Sequence, residues 1–323
     1  MIKPERQFIA SVKRLAQTSA NRAVVKGIGD DCAILRIAPR SQLLVTTDLC
    51  VENVHFRREW HPAGSVGHRC LARGLSDIAA MGGEPLACFL SIGLPADLPQ
   101  RWVDDFLRGL LRLARRFGVE LAGGDTSAAR DITADIIVIG QVLTDKAPTG
   151  KALLRSTARP GDRIYVTGEL GASAATLKQL YSGKNVKPST GSRHFYPEPR
   201  VEVGSRLRRR GLATAMIDIS DGLSVDLAHI CQESQVSATI HAASVPIAAG
   251  ADLELALHGG DDYELLFTAP KGLRLPATIA GVRITEIGSI LKRSVKPTIH
   301  IIGEDGQARL LKPKGWQHFS KRG

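Results

Sequence analysis

The residues of this chain best placed to do chemistry are its aspartates, which recur at the mouth of an apolar strand or in a glycine turn, usually beside a hydroxyl. GIGDD (27–31), VTTD (45–48), LSDI (75–78), AGGDT (122–126) and IDISDG (217–222) share this setting. Aspartate also caps helices and fills turns, so any one site has a local cause. Capping does not require all of them to follow strands or glycines, and the set as a whole calls for another cause. Several carboxylates converging without His or Cys make an oxygen-only site, which suits Mg²⁺ rather than zinc or copper. Magnesium held by aspartates points to phosphate chemistry.

Asp77 is the most telling of them. It stands between Cys70 and Met81 in the apolar run LSDIAAM, at the spacing that shares a helix face with buried-type side chains. A lone ionised carboxylate there would cost several kcal/mol, so it needs a cation, a strong donor set or a proton. The chain has no G-x-x-x-x-G-K-[ST] and no protein-kinase motif set. GELG (168–171), between a strand and a helix, could present backbone N–H groups to a phosphate, or could simply connect the two elements. The metal must then supply much of the charge that a P-loop lysine shares elsewhere, with Arg155 as a helper.

The elements that must position these groups alternate between short β-rich runs and longer helical ones, the pattern of mixed α/β layers. Apolar spacing predicts a helix within 1–17, strands at 33–37 and 43–47, a helix at 64–81 stopped by Gly82-Gly83, a strand at 86–94, a helix at 99–117 and a strand at 132–143. Residues 146–151 have linker composition. A second set follows, with strands at 163–167, 215–219, 238–241, 263–268 and 284–290, helices at 171–181, 200–210, 221–231 and 251–258, and a polar loop at 182–193 expected to be mobile.

At 323 residues, 43% hydrophobic and 23% charged, the chain has room for two domains, placed at 1–148 and 149–323. Its cysteines form no Cys-x-x-Cys pair, which argues against a disulfide framework or structural zinc and fits a reducing cytoplasm. Charges interrupt the N-terminal segment too often for a signal core, and no apolar run approaches the roughly 18 residues of a membrane span, so no membrane partner is expected. The net charge of +11 raises an anionic partner, but aromatics are only 5% and do not interleave with the clusters Arg112, Arg115, Arg116 and Arg206, Arg208, Arg209, Arg210. Both clusters are expected to be solvated helix faces rather than a nucleic-acid platform.

The ordered set GIGDD (27–31), TTD (46–48), NVHF (53–56), LSDIAAMGG (75–83), GGDT (123–126), LLRSTARPGD (153–162), YVTG (165–168), IDISDGL (217–223), GGDDYELLF (259–267) and KGWQHF (314–319) closely resembles the thiamine-monophosphate kinases. That family belongs to a superfamily with aminoimidazole ribonucleotide synthetase, selenophosphate synthetase and a hydrogenase maturation protein. The likeness runs nearly end to end. It implies a two-domain PurM-like architecture: an N-terminal α+β domain whose sheet pairs with a second subunit as a homodimer, and a C-terminal α/β sandwich. It also implies direct transfer of the γ-phosphoryl of ATP to thiamine monophosphate. By the same resemblance Asp31, Thr46, Thr47, Asp48, Asp77, Asp125, Asp218 and Asp221 form the magnesium set, with Asp30 as a neighbour. Gly124, Asp125, Arg155 and Ser220 are implied ATP contacts, and His55, Asp261 and Trp316 substrate contacts. A tryptophan can cover a cationic thiazolium or a pyrimidine ring. One residue departs from the family pattern: Asp261 stands where Glu is usual, which keeps the carboxylate and shortens its reach. The competing readings are a sister enzyme of the superfamily acting on another small acceptor, which would not need NVHF or KGW, and a basic non-catalytic nucleotide or nucleic-acid binder.

Overall fold

The computed structural model describes residues 2, 4–16, 23–145, 150–189 and 192–315. It divides into two compact units. One comprises Met1–Ile78, Gly83–Asp145 and Lys187–Pro197, the other Ala79–Gly82, Lys146–Val186 and Glu198–Gly323.

The first unit opens with helix α1 (Glu5–Ala16), followed by a short antiparallel ribbon, β1 (Val24–Lys26) and β2 (Ile34–Leu35), which flanks the GIGDD loop. Then come β3 (Ser41–Val51), α2 (Ala63–Ala80), β4 (Glu84–Leu94), α3 (Gln100–Arg116), β5 (Glu120–Ala128) and β6 (Thr133–Leu143). The sheet order is β3-β6-β4-β5, antiparallel except between β4 and β5. On α3, Val103, Phe106, Leu107, Leu110 and Ala114 repeat at the spacing of one helix face, and all are buried. Helices α2 and α3 approach unusually closely, because Gly64, Gly67 and Gly109 lie at their crossing: a Cβ on Gly67 would stand 2.0 Å from the Phe106 carbonyl oxygen. β5 was not expected as a strand. Its run ELAGGDTSA has one β-branched residue, Thr126, and no alternation, and it is held extended by parallel pairing to β4.

The sheet of this unit has two different faces. Leu44 and Cys50 of β3 are buried on the face where α2 lies, whereas Leu43 (48% exposed), Val45 (60%) and Leu49 (52%) stand on the other. An 11-residue edge strand with three exposed apolar side chains on one face is the kind of edge that chains usually cover or charge.

The second unit begins with a 3₁₀ turn at Arg155–Thr157 and continues through β7 (Arg163–Thr167), α4 (Ala172–Tyr181), α5 (Val201–Arg209), β8 (Ala215–Asp218), α6 (Leu223–Ser234), β9 (Val236–His241) and α7 (Leu253–His258). It ends in β10 (Leu265–Ala269), β11 (Thr278–Ile279), β12 (Val282–Arg293), β13 (Ile299–Ile302) and β14 (Ala308–Leu310). These form an eight-stranded sheet of order β14-β13-β9-β12-β7-β10-β8, with β11 paired to β12 off that path. Its core joins strand residues such as Ile164, Val166, Ile217 and Leu266 to Leu223, Leu227 and Ile230 of α6. The chain is thus mixed α/β, as its alternating pattern implied.

The arginine cluster of α5 is not the uniformly solvated face that its charge suggested. Arg209 and Arg210 are exposed, but Arg208 is 1% exposed and its Nε donates to the Gly82 carbonyl at 2.9 Å. Three consecutive arginines on a helix must point in different directions, and one of them turns inward. Among the described residues, no helix is long and apolar enough to cross a membrane.

Candidate active site

In the first unit the side-chain alternation of β3 sorts the TTD motif. Thr46 and Asp48 face α2, on which Arg73 and Asp77 lie one turn apart. The Thr46 hydroxyl donates to Asp77 Oδ2, and Arg73 donates to Asp48 Oδ1 through Nε at 3.3 Å and Nη2 at 3.2 Å. Burial pushes the Asp48 carboxyl up; Arg73 and Asp77, both within hydrogen-bonding reach, pull it down, and the charge of Asp135 adds to the rise. Two carboxylates and a hydroxyl make an oxygen-only donor set suited to a hard cation such as Mg²⁺.

Thr47 goes to the opposite face, where its hydroxyl donates to Asp135 Oδ1 at 2.7 Å. Strand register places Asp125 of β5 beside Ser91 of β4, and Ser91 beside Asp135 of β6. Residues in one lateral row share a face, so Asp125, Ser91, Asp135 and Thr47 line a polar strip of the sheet. Gly124 lies in the row of Leu90, and a Cβ on it would stand 1.9 Å from the Leu90 carbonyl oxygen, at a φ of +148° that side chains avoid. Gly124, Asp125, Asp30 and Asp31 border a cavity of 780 Å³ with apolar walls from Phe8, Val12, Phe89 and Leu121. At its rim Asp30 accepts the Asp31 N–H at 3.1 Å and pairs with Lys26 at 3.3 Å, which together hold its carboxyl below the usual range. His55 Nδ1 accepts the Val51 N–H at 3.0 Å, which leaves the proton of the neutral ring on Nε2.

In the second unit, β8 delivers Asp218, buried, to the turn before α6. The Ser220 carbonyl accepts the Asp261 N–H at 2.8 Å, and the Ile219 carbonyl accepts the Tyr263 N–H at 2.9 Å, so the SDG and GGDDY motifs are zipped together. Asp261 has a φ of +57°, and its Oδ1 accepts the Tyr263 hydroxyl at 2.8 Å, which aims the shortened acid. Asp226, one turn into α6, accepts the N–H groups of Asp221 at 3.2 Å and Gly222 at 3.1 Å. Burial, reinforced by the charges of Asp218 and Asp221, pushes its carboxyl up to about 8. Asp221, Asp226 and His229 each bring one ligand atom within 4.8 Å of the others.

The amino-acid sequences and structures of other proteins identify the whole. Residues 29–142 match the N-terminal domain of AIR synthase related proteins, and residues 159–307 the C-terminal domain. The thiamine-monophosphate kinase of Escherichia coli strain K12 is 37% identical, with 94% of each chain covered. The chain belongs to the thiamine-monophosphate kinase family. Of the solved structures in this family, that from Stenotrophomonas maltophilia K279a matches with a TM-score of 0.81 at 34% identity, covering 96% of this chain and 99% of that one. AaThiL complexed with AMPPCP and TMP matches with a TM-score of 0.75 at 31% identity, covering 98% and 97%.

Set against the family motifs, the geometry brings Thr46, Asp48 and Asp77 together, and separately Ser220, Asp221 and Asp261, while the side chain of Thr47 turns to the other face and bonds Asp135, which lies in the row of Asp125. Arg155 lies exposed in its 3₁₀ turn, where its carbonyl accepts the Ser234 hydroxyl at 2.7 Å. Trp316 lies outside the described residues. The chain leading to it runs against the Asp221 turn: Ser224 Oγ donates to the Lys314 carbonyl at 3.0 Å, and His258 Nδ1 lies 2.9 Å from the same oxygen. GELG serves as a connection, because the Gly171 N–H is already given to the Asp262 carboxylate at 2.9–3.0 Å, and an anion there would meet Glu264 as well. Arg73, Asp135 and Asp226 escaped the sequence reading. Only Asp226 carried a local signal, its i, i+4 spacing from Gly222 at a helix start.

Proposed function

We propose that the chain transfers the γ-phosphoryl group of ATP directly to thiamine monophosphate, giving thiamine diphosphate. The observation that carries this reading is the likeness, over 98% of the chain, to AaThiL, a protein complexed with AMPPCP and TMP. Mg²⁺ is assigned to Asp31, Thr46, Thr47, Asp48, Asp77, Asp125, Asp218 and Asp221; when bound it would neutralise phosphate charge and hold the reacting groups in line. The oxygen-only set of Thr46, Asp48 and Asp77 supports that assignment. Gly124, Asp125, Arg155 and Ser220 are assigned to ATP, and of these Gly124 and Asp125 border the cavity. His55, Asp261 and Trp316 are assigned to the acceptor. The Nε2 proton of His55 suits a phosphate oxygen, and the Tyr263 bond fixes the direction of the Asp261 carboxylate. The protein is read as a cytoplasmic homodimer joined through the open face of its first sheet, for which the exposed Leu43, Val45 and Leu49 supply the apolar surface.

The test is ATP consumption measured with thiamine monophosphate, thiamine and aminoimidazole precursors in parallel. ADP and thiamine diphosphate formed in equal amounts with the first acceptor alone is the expected result. Turnover with an aminoimidazole precursor instead would reassign the chain to a sister activity.

A further inference from the structure

We propose that Arg73 is a built-in counter-cation that competes with Mg²⁺ for Asp48 and so sets how tightly the Asp48–Asp77 pair binds the metal. The inference rests on the magnesium assignment above. Two of the guanidinium's nitrogens reach one oxygen of Asp48, at 3.3 and 3.2 Å, so the contact is directional rather than a chance meeting of charges. The side chains of Arg73 and Asp48 are only 17% and 22% exposed, where solvent and salt screen a charge pair less than at an open surface. Asp77 lies one helical turn beyond Arg73 and is held by the Thr46 hydroxyl, so both carboxylates and the guanidinium sit in one small space. Fully ionised, as a metal would require, the two carboxylates carry a charge of −2, and Arg73 reduces it to −1. A cation approaching Asp48 must share the carboxylate or displace the arginine, and it meets a weaker field in either case. An arginine that merely braced α2 against β3 could bond any acceptor there. This one is aimed at a proposed ligand.

The experiment is calorimetric titration of Mg²⁺ alone into the full chain, without nucleotide or acceptor, for the parent protein, Arg73→Gln and Arg73→Lys, with thermal melting as the check on folding. Arg73→Gln is expected to bind Mg²⁺ about tenfold more tightly or better, the scale of removing one nearby like charge from a partly buried site. Arg73→Lys keeps the charge but loses the two-pronged hold, so its affinity should fall between the two. Adding Asp48→Asn to Arg73→Gln should abolish the gain. Unchanged or weaker Mg²⁺ binding in Arg73→Gln overturns the proposal, and if that variant does not fold, Arg73→Lys at or below the parent affinity does the same. The kinase reading is judged separately, by product formation from thiamine monophosphate in the parent protein. Loss of that activity with the graded metal affinities intact would remove the kinase and leave Arg73's role standing.

Discussion

Gly109 of α3 meets Gly64 of α2 so closely that a Cβ on Gly109 would stand 1.9 Å from the Gly64 carbonyl oxygen. Helical propensity favours Ala over Gly by up to about 1 kcal/mol, but overpacking a tight contact costs about 1–3 kcal/mol and here the obstacle is backbone, which cannot rotate away. Gly109→Ala should therefore lower the melting temperature. A higher melting temperature would mean that the helices are not in contact at this point.

The carboxylates of the first unit should be separable from its fold. Asp48→Asn and Asp125→Asn replace a charged oxygen donor by a neutral amide, a poor ligand for a hard cation, at positions in or beside solvent-reached space. Each should keep the circular dichroism of the parent and lose turnover by orders of magnitude. Parent activity at limiting Mg²⁺ would take that residue out of the metal set.

The buried and exposed arginines of α5 should answer differently to substitution. Arg208→Leu deletes a donor to the Gly82 carbonyl, and a lost hydrogen bond to a charged group costs about 1.5–3 kcal/mol. Arg209→Ala, at an exposed position, should stay within about 0.5 kcal/mol of the parent. Urea unfolding of the two variants compares them directly, and equal midpoints would contradict an inward-facing Arg208.

Thiol reactivity should single out one cysteine. Burial pushes the Cys88 and Cys231 thiols up to about 12, and a hydrogen bond with Cys50, helped by burial, raises Cys70 as well, so at pH 8 these groups are protonated and shielded. Cys32 is exposed and borders the cavity beside Asp31. A chromogenic disulfide reagent should titrate Cys32 alone in the native protein and all the cysteines after denaturation. ATP with Mg²⁺ should slow the native reaction. No protection at saturating nucleotide would argue that ATP binds away from this cavity.

Placing a charge on the open face of β3 tests the homodimer. Val45 is 60% exposed and points away from α2, so Val45→Lys should leave the fold of the unit unchanged. Sedimentation should then show the mass of one chain where the parent shows two. A parent protein that sediments as a single chain would remove the dimer from the functional reading.

What could be read from the amino-acid order alone was whatever the chain writes locally. The helical face of 100–116, the strand–glycine–aspartate turns and the ordered motifs of the family all lie within short windows, where periodicity and turn chemistry act directly. The need of Asp77 for a partner was also legible, since an ionised carboxylate on an apolar helix face is unstable without one. Which partner it takes was not. Thr46 reaches Asp77 across 31 positions and Arg73 reaches Asp48 across 25, and neither separation leaves a trace in composition or spacing. The parting of Thr46 and Asp48 from Thr47 follows from alternation once β3 is known to be a strand, but the residues each face meets depend on the register of β6 and the seating of α2. Likewise the Gly171 N–H, which the local sequence leaves open to a phosphate, is taken by Asp262 from 91 positions away. Local patterns act through neighbouring backbone and are written in sequence, whereas the electrostatic environment of a carboxylate is set by whatever charges tertiary packing places within a few ångströms of it.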